Sequence, residues 1–165
     1  MIRVRVLIHL MLLAVVPLAS ATTLEHDAIF DSAVGRTCFR DLLQRSGWGL
    51  SGTSERAAFI IEQGDGSLSC QAWPSMHSYL SESFHGLIPE HAIGIVHTHP
   101  VLYPMPSLKD QEEATRIGIP IYVLTIRGVY KAVPGAREVS TLADKQSWIH
   151  ELPATMVSGS ATASR

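Results

Sequence analysis

The sequence predicts one α/β domain, a mixed β-sheet packed between helices. Three observations predict it. Strand-like apolar runs and helical patterns alternate along a single chain. The 165 residues suit one domain of ordinary size and not two. The apolar fraction of 46% against 17% charged residues allows a core and argues against wholesale disorder. Lys and Arg number 13 and Asp and Glu 15, a net charge of −2, which excludes a strongly basic nucleic-acid binder and a polyacidic tail.

The first 21 residues read as an address. Arg3 and Arg5 open the chain with no acid beside them. Val6 to Leu18 is apolar except for His9, and Ala19-Ser20-Ala21 follows as a small-residue exit. This is the pattern of a cleavable secretory signal peptide, with the cut expected after Ala21. The apolar run is about 13 residues, short of the roughly 20 needed to span a bilayer. Removing 21 residues of 165 leaves 144. Two arginines and no acids go with them, so 11 bases face 15 acids and the net charge becomes −4. The mature chain is expected to be soluble, and periplasmic or secreted. Cys38 and Cys70 are its two cysteines, an even count that favours one disulfide in an exported protein.

The domain is expected over residues 22–152. Leu24 to Arg45 reads as one helix, with Phe30, Val34, Cys38 and Leu42 at four-residue steps and Phe39 and Leu43 widening the stripe. Gly35 sits awkwardly within it. The breaker cluster Ser46 to Gly52 ends the helix. Arg56 to Glu62 is a strand, Gln63-Gly64-Asp65-Gly66 a hairpin turn, and Ser67 to Trp73 the return strand. A short helix is expected around Ser75 to Phe84, and Ala92 to His97 is a buried strand. Ser107 caps a helix from Leu108 to Ile117 that Gly118 and Pro120 stop. Ile119 to Ile126 and Val129 to Val133 are strands around a turn at Gly128, and Leu142 to Leu152 is a last helix. Residues 153–165 are small and polar, the composition of a disordered tail.

The chemistry lies in His97-Thr98-His99-Pro100, followed six residues later by Ser107-Leu108-Lys109-Asp110. His97 and His99, at i and i+2 on a strand end, point to the same side. Asp110 lies in the first turn of the next helix, and folding that helix back brings its carboxylate to the imidazoles. Two nitrogens and one carboxylate oxygen make a three-ligand zinc site with a position left for water. Taken singly, each residue has a plainer reading: strand-end histidines, a helix cap and an acid at N3.

The pattern resembles the signature of the JAMM (MPN+) zinc metallopeptidases. Ten residues, 100 to 109, separate the second His from the Asp, as in that family. Gly118-Ile119-Pro120-Ile121-Tyr122-Val123 is similar to the strand that follows the motif helix in bacterial members. The motif itself covers about 14 residues, and the looser likeness runs from Ser54 to Val133. The resemblance implies a fold related to the deaminase-like architecture, zinc on His97, His99 and Asp110, and hydrolysis of peptide or isopeptide bonds. It also implies a general base on an upstream strand and a Ser107 hydroxyl that donates to the developing oxyanion. Glu55 and Glu62 are the candidates for the base. Glu55 fits better, preceding a small residue and an apolar strand, although Ala58 stands where many members have Gly.

The implied partner is a peptide or protein substrate, with no nucleic acid and no membrane span in the mature chain; oligomeric state is left open. The Pro74 to His91 segment is a candidate substrate flap, and Trp73, Tyr79 and Phe84 are core or cleft residues. A non-catalytic MPN-type binding module is the alternative. Zinc buffering fits less well, because His26, His77, His85, His91 and His150 are scattered singly. A deaminase lacks its Pro-Cys-x-x-Cys element here.

Overall fold

The computed structural model describes residues 26–50, 54–74, 86–99 and 103–150. The expected signal peptide, the helix at 75–84 and the tail lie outside them. The strands are β1 (Ala57–Glu62), β2 (Leu68–Ala72), β3 (Ala92–Thr98), β4 (Ile121–Thr125), β5 (Gly128–Ala132) and β6 (Val139–Ala143). They form one mixed sheet in the order β2-β1-β3-β4-β5-β6. The helices are α1 (Ala28–Asp31), α2 (Ala33–Arg45) and α3 (Leu108–Ile117), with 3-10 turns at Gly47–Gly49 and Gln146–Ile149. The single-domain α/β reading therefore holds.

β3 and β4 are the parallel pair, joined through α3, and the other neighbours run antiparallel. A parallel pair needs a crossover, and the helix supplies it. Side chains alternate across the sheet and so sort into two layers. Ala58, Ile60, Val96, Tyr122 and Leu124 pack with Phe30, Phe39, Leu42, Leu43 and Trp148 on one face. Phe59, Ile95 and Ile121 pack with Ala114 on the other, joined by the half-buried Ile117. Trp73 stacks against Phe59 with ring centres 5.1 Å apart, which makes it a packing residue.

Two expectations need correction. The helix expected from Leu24 to Arg45 is two helices. Asp27 caps α1 by accepting from the Phe30 N–H at 2.8 Å, and Ser32 caps α2 by accepting from the Gly35 N–H at 2.9 Å. The second cap resets the helical phase, leaving Val34 exposed although its spacing placed it in the stripe. Gly35 is required at this junction, because a Cβ there would stand 1.9 Å from the Ile29 carbonyl oxygen. The second correction concerns the last helix. Val139–Ala143 pairs with β5 as an edge strand, and among the described residues only the 3-10 turn at Gln146–Ile149 follows. Leu142, Trp148 and Ile149 have helix-compatible spacing, but tertiary pairing decides the first part of the segment.

Cys38 on α2 is bonded to Cys70 on β2, as the even cysteine count suggested. The bridge ties the helical layer to the sheet edge and suits an oxidising compartment. Asp27 is also buried against the sheet. It accepts from the Tyr122 hydroxyl at 3.1 and 3.2 Å and from Lys131 Nζ at 2.9 Å. No helix among the described residues is long and apolar enough to cross a membrane.

Candidate metal centre

The site forms where β3 ends. Ile95 faces α3, so alternation turns His97 to the same face, and the chain stays extended long enough to bring His99 beside it. The two rings meet edge to face with centres 4.7 Å apart. α3 then starts over the strand end. Its N-cap Ser107 accepts from the Asp110 N–H at 3.2 Å, and Asp110 returns a carboxylate to the Ser107 N–H at 2.7 Å. This reciprocal capping box aims Asp110 at the histidines.

His97 Nε2 lies 3.3 Å from Asp110 Oδ1, and His99 Nε2 lies 3.7 Å from Asp110 Oδ2. One ligand atom from each of the three residues falls within 4.8 Å of the others. The sequence expectation for this trio is met in space, and it is the one such His, Cys, Asp or Glu cluster among the described residues.

The protonation pattern suits a metal ion. His99 Nδ1 is 2.9 Å from the Tyr103 carbonyl oxygen, which can only accept. Nδ1 therefore carries the proton, and the Nε2 lone pair of the neutral ring faces the cluster. His97 Nε2 is buried and has no aligned hydrogen-bond partner among the described residues; the Asp110 contact is close but electrostatic. A buried orphan nitrogen is costly unless something accepts its lone pair, and a bound metal ion would do so.

Burial pushes the His99 imidazole below its ordinary value of 6.5, and repulsion from His97 adds to this against the Tyr103 carbonyl and Asp110. Burial acts on Asp110 in the opposite sense and would raise its carboxyl. Contact and charge from His97, with both Ser107 bonds, outweigh burial and hold the group well below the carboxylate range. Both shifts favour the ligand forms, neutral imidazole and ionised carboxylate. Two imidazoles and a carboxylate suit zinc, and the same donor set also serves divalent iron.

Glu55 is 8% exposed, just before β1. Ala57 pairs with His97, and the Thr98 N–H donates to the Arg56 carbonyl at 2.9 Å. That ladder brings Glu55 to the same sheet end as the trio. Glu62 is exposed at the opposite end of β1, where its N–H donates to the His91 carbonyl. Glu62 is five residue steps from Ala57, about 17 Å of rise. Ser107 is at the site, with its hydroxyl engaged by Asp110.

Sequence reasoning missed the Tyr103 carbonyl, because a backbone acceptor leaves no side-chain signal; the rigid Pro104-Met105-Pro106 segment was the only pointer. A cavity of about 420 Å³ near Phe30, Arg36, Leu142 and Trp148 belongs to the other face and contains none of the trio. No protein-family model matches the chain, and no curated protein matches it in sequence.

Proposed function

We propose that the chain is a JAMM-type zinc metallopeptidase that hydrolyses peptide or isopeptide bonds in an exported compartment. The convergence of His97, His99 and Asp110 within 4.8 Å carries this reading. Glu55, at the same strand end, supports it. Zinc, when bound, would lower the pKa of a water molecule and polarise a carbonyl.

The protein's own groups do the rest. His97, His99 and Asp110 would hold the ion in a largely buried setting that strengthens electrostatic attraction. Glu55 takes a proton from the attacking water as the new carbon–oxygen bond forms. The same carboxyl gives that proton to the leaving nitrogen as the carbon–nitrogen bond breaks. Two hydrogens and one oxygen of water are thereby divided between the acid and amine products. Tyr103, Met105 and Leu108, exposed on the segment that joins the ligands, offer apolar contact to a peptide. The expected signal peptide and the Cys38–Cys70 bridge favour an exported protein or cell-wall peptide as substrate over a cytoplasmic tag.

The test compares zinc-loaded wild type with Glu55→Gln on a bacterial envelope-protein extract. Mass spectrometry reads new peptide termini and freed lysine amines. Wild-type-specific cuts that fall by about 100-fold or more in the variant, with zinc content unchanged, support the reading. Equal cutting by both proteins would refute Glu55 as base. An absence of cuts would favour the binding-module alternative.

A further inference from the structure

The Ser107 hydroxyl both donates and accepts within the capping box. Its oxygen accepts from the Asp110 N–H at 3.2 Å. Its single proton goes to Asp110 Oδ2 at 2.7 Å. The Ser107 N–H reaches the same Oδ2, also at 2.7 Å. Oδ2 is pinned by two donors from one residue and lies 3.7 Å from His99 Nε2, while Oδ1 is the oxygen nearer His97 Nε2, at 3.3 Å.

We infer that Ser107 is a positioning residue for the metal centre: it clamps Asp110 Oδ2 so that Oδ1 is presented to the ion beside His97. The inference rests on the metal-centre reading above. A hydroxyl has one proton to donate. An ionised carboxylate only accepts, so the direction of the bond is fixed. The N-cap of α3 and the outer shell of the metal site are thus the same residue. Partners that orient a ligating group commonly matter 10- to 100-fold in metal affinity.

Helix capping alone must be separated from clamping. Gly caps a helix nearly as well as Ser, and Ala caps poorly, but neither has a hydroxyl. Thr caps and also has one. The experiment titrates zinc into metal-free wild type, Ser107→Gly, Ser107→Ala and Ser107→Thr, and follows thermal unfolding of each metal-free protein. Clamping predicts that Gly and Ala weaken zinc by a similar factor, about 10- to 100-fold, although only Ala lowers the metal-free unfolding temperature appreciably. Thr should stay within about threefold of wild type.

Zinc affinity at the wild-type level in Ser107→Gly would overturn the inference. So would losses that follow the metal-free unfolding temperature across the series. If Ser107→Gly does not fold, a Thr variant that folds but binds zinc as weakly as Ala does the same. A wild type that binds no zinc would instead overturn the metal-centre reading itself.

Discussion

The two faces of the sheet meet the same backbone with different chemistry. On the α1–α2 face, Phe30, Phe39, Tyr122 and Trp148 form a continuous aromatic and aliphatic layer, with a disulfide at its margin. Asp27, a charged group buried there, is answered by a helix N–H, a hydroxyl and a lysine. On the α3 face the apolar layer is smaller, and the strand end beyond it carries His97, His99 and Asp110. There a buried nitrogen lacks an aligned partner. One face is a closed apolar layer, and the other ends in a cluster of groups that could hold a metal ion. The larger apolar layer and the candidate metal centre therefore lie on opposite sides of one sheet.

The largest expected effect lies on the α1–α2 face. Phe39 is fully buried between Phe30 and Tyr122. Phe39→Ala should cost about 3–5 kcal/mol in denaturant unfolding of the metal-free protein. His97→Ala, measured in the same way, should cost less than about 1 kcal/mol, because it removes a poorly satisfied nitrogen together with its packing. Equal losses for the two variants would break the comparison.

The smallest effect is a pH dependence on the α3 face. His99 is shifted down from 6.5, chiefly by burial. Between its lowered value and 6.5 the unfolded chain binds the proton more readily than the folded one. The metal-free protein therefore loses stability as pH falls through that window and keeps it above. NMR titration of the metal-free protein should find the His99 ring changing charge below pH 6.5, and a midpoint at or above 6.5 would show that the site is more open than described.

What was legible in the sequence follows from local signals. α3 could be bounded because Ser107 starts it and Gly118, at a left-handed φ of 76°, ends it. The trio was legible because strand periodicity fixes where i and i+2 side chains point, and the cap fixes where an N3 acid points. β6 was not legible. Val139–Ala143 is half polar and becomes a strand through pairing with β5, a long-range event. Nor was the break at Ser32, because a serine inside a helical stripe reads as a helix residue until its hydroxyl is seen capping Gly35. The choice between Glu55 and Glu62 depended on strand direction, which the Ala57–His97 pairing supplies.

Metal content tests the central claim most directly. Purified chain is stripped with chelator, supplied with zinc and iron(II) in competition under anaerobic conditions, desalted and analysed for both elements. One zinc per chain in the wild type, and none in His97→Ala or Asp110→Ala, is the predicted result. A wild type that retains no zinc, prefers iron, or keeps full zinc after loss of Asp110 would contradict the account.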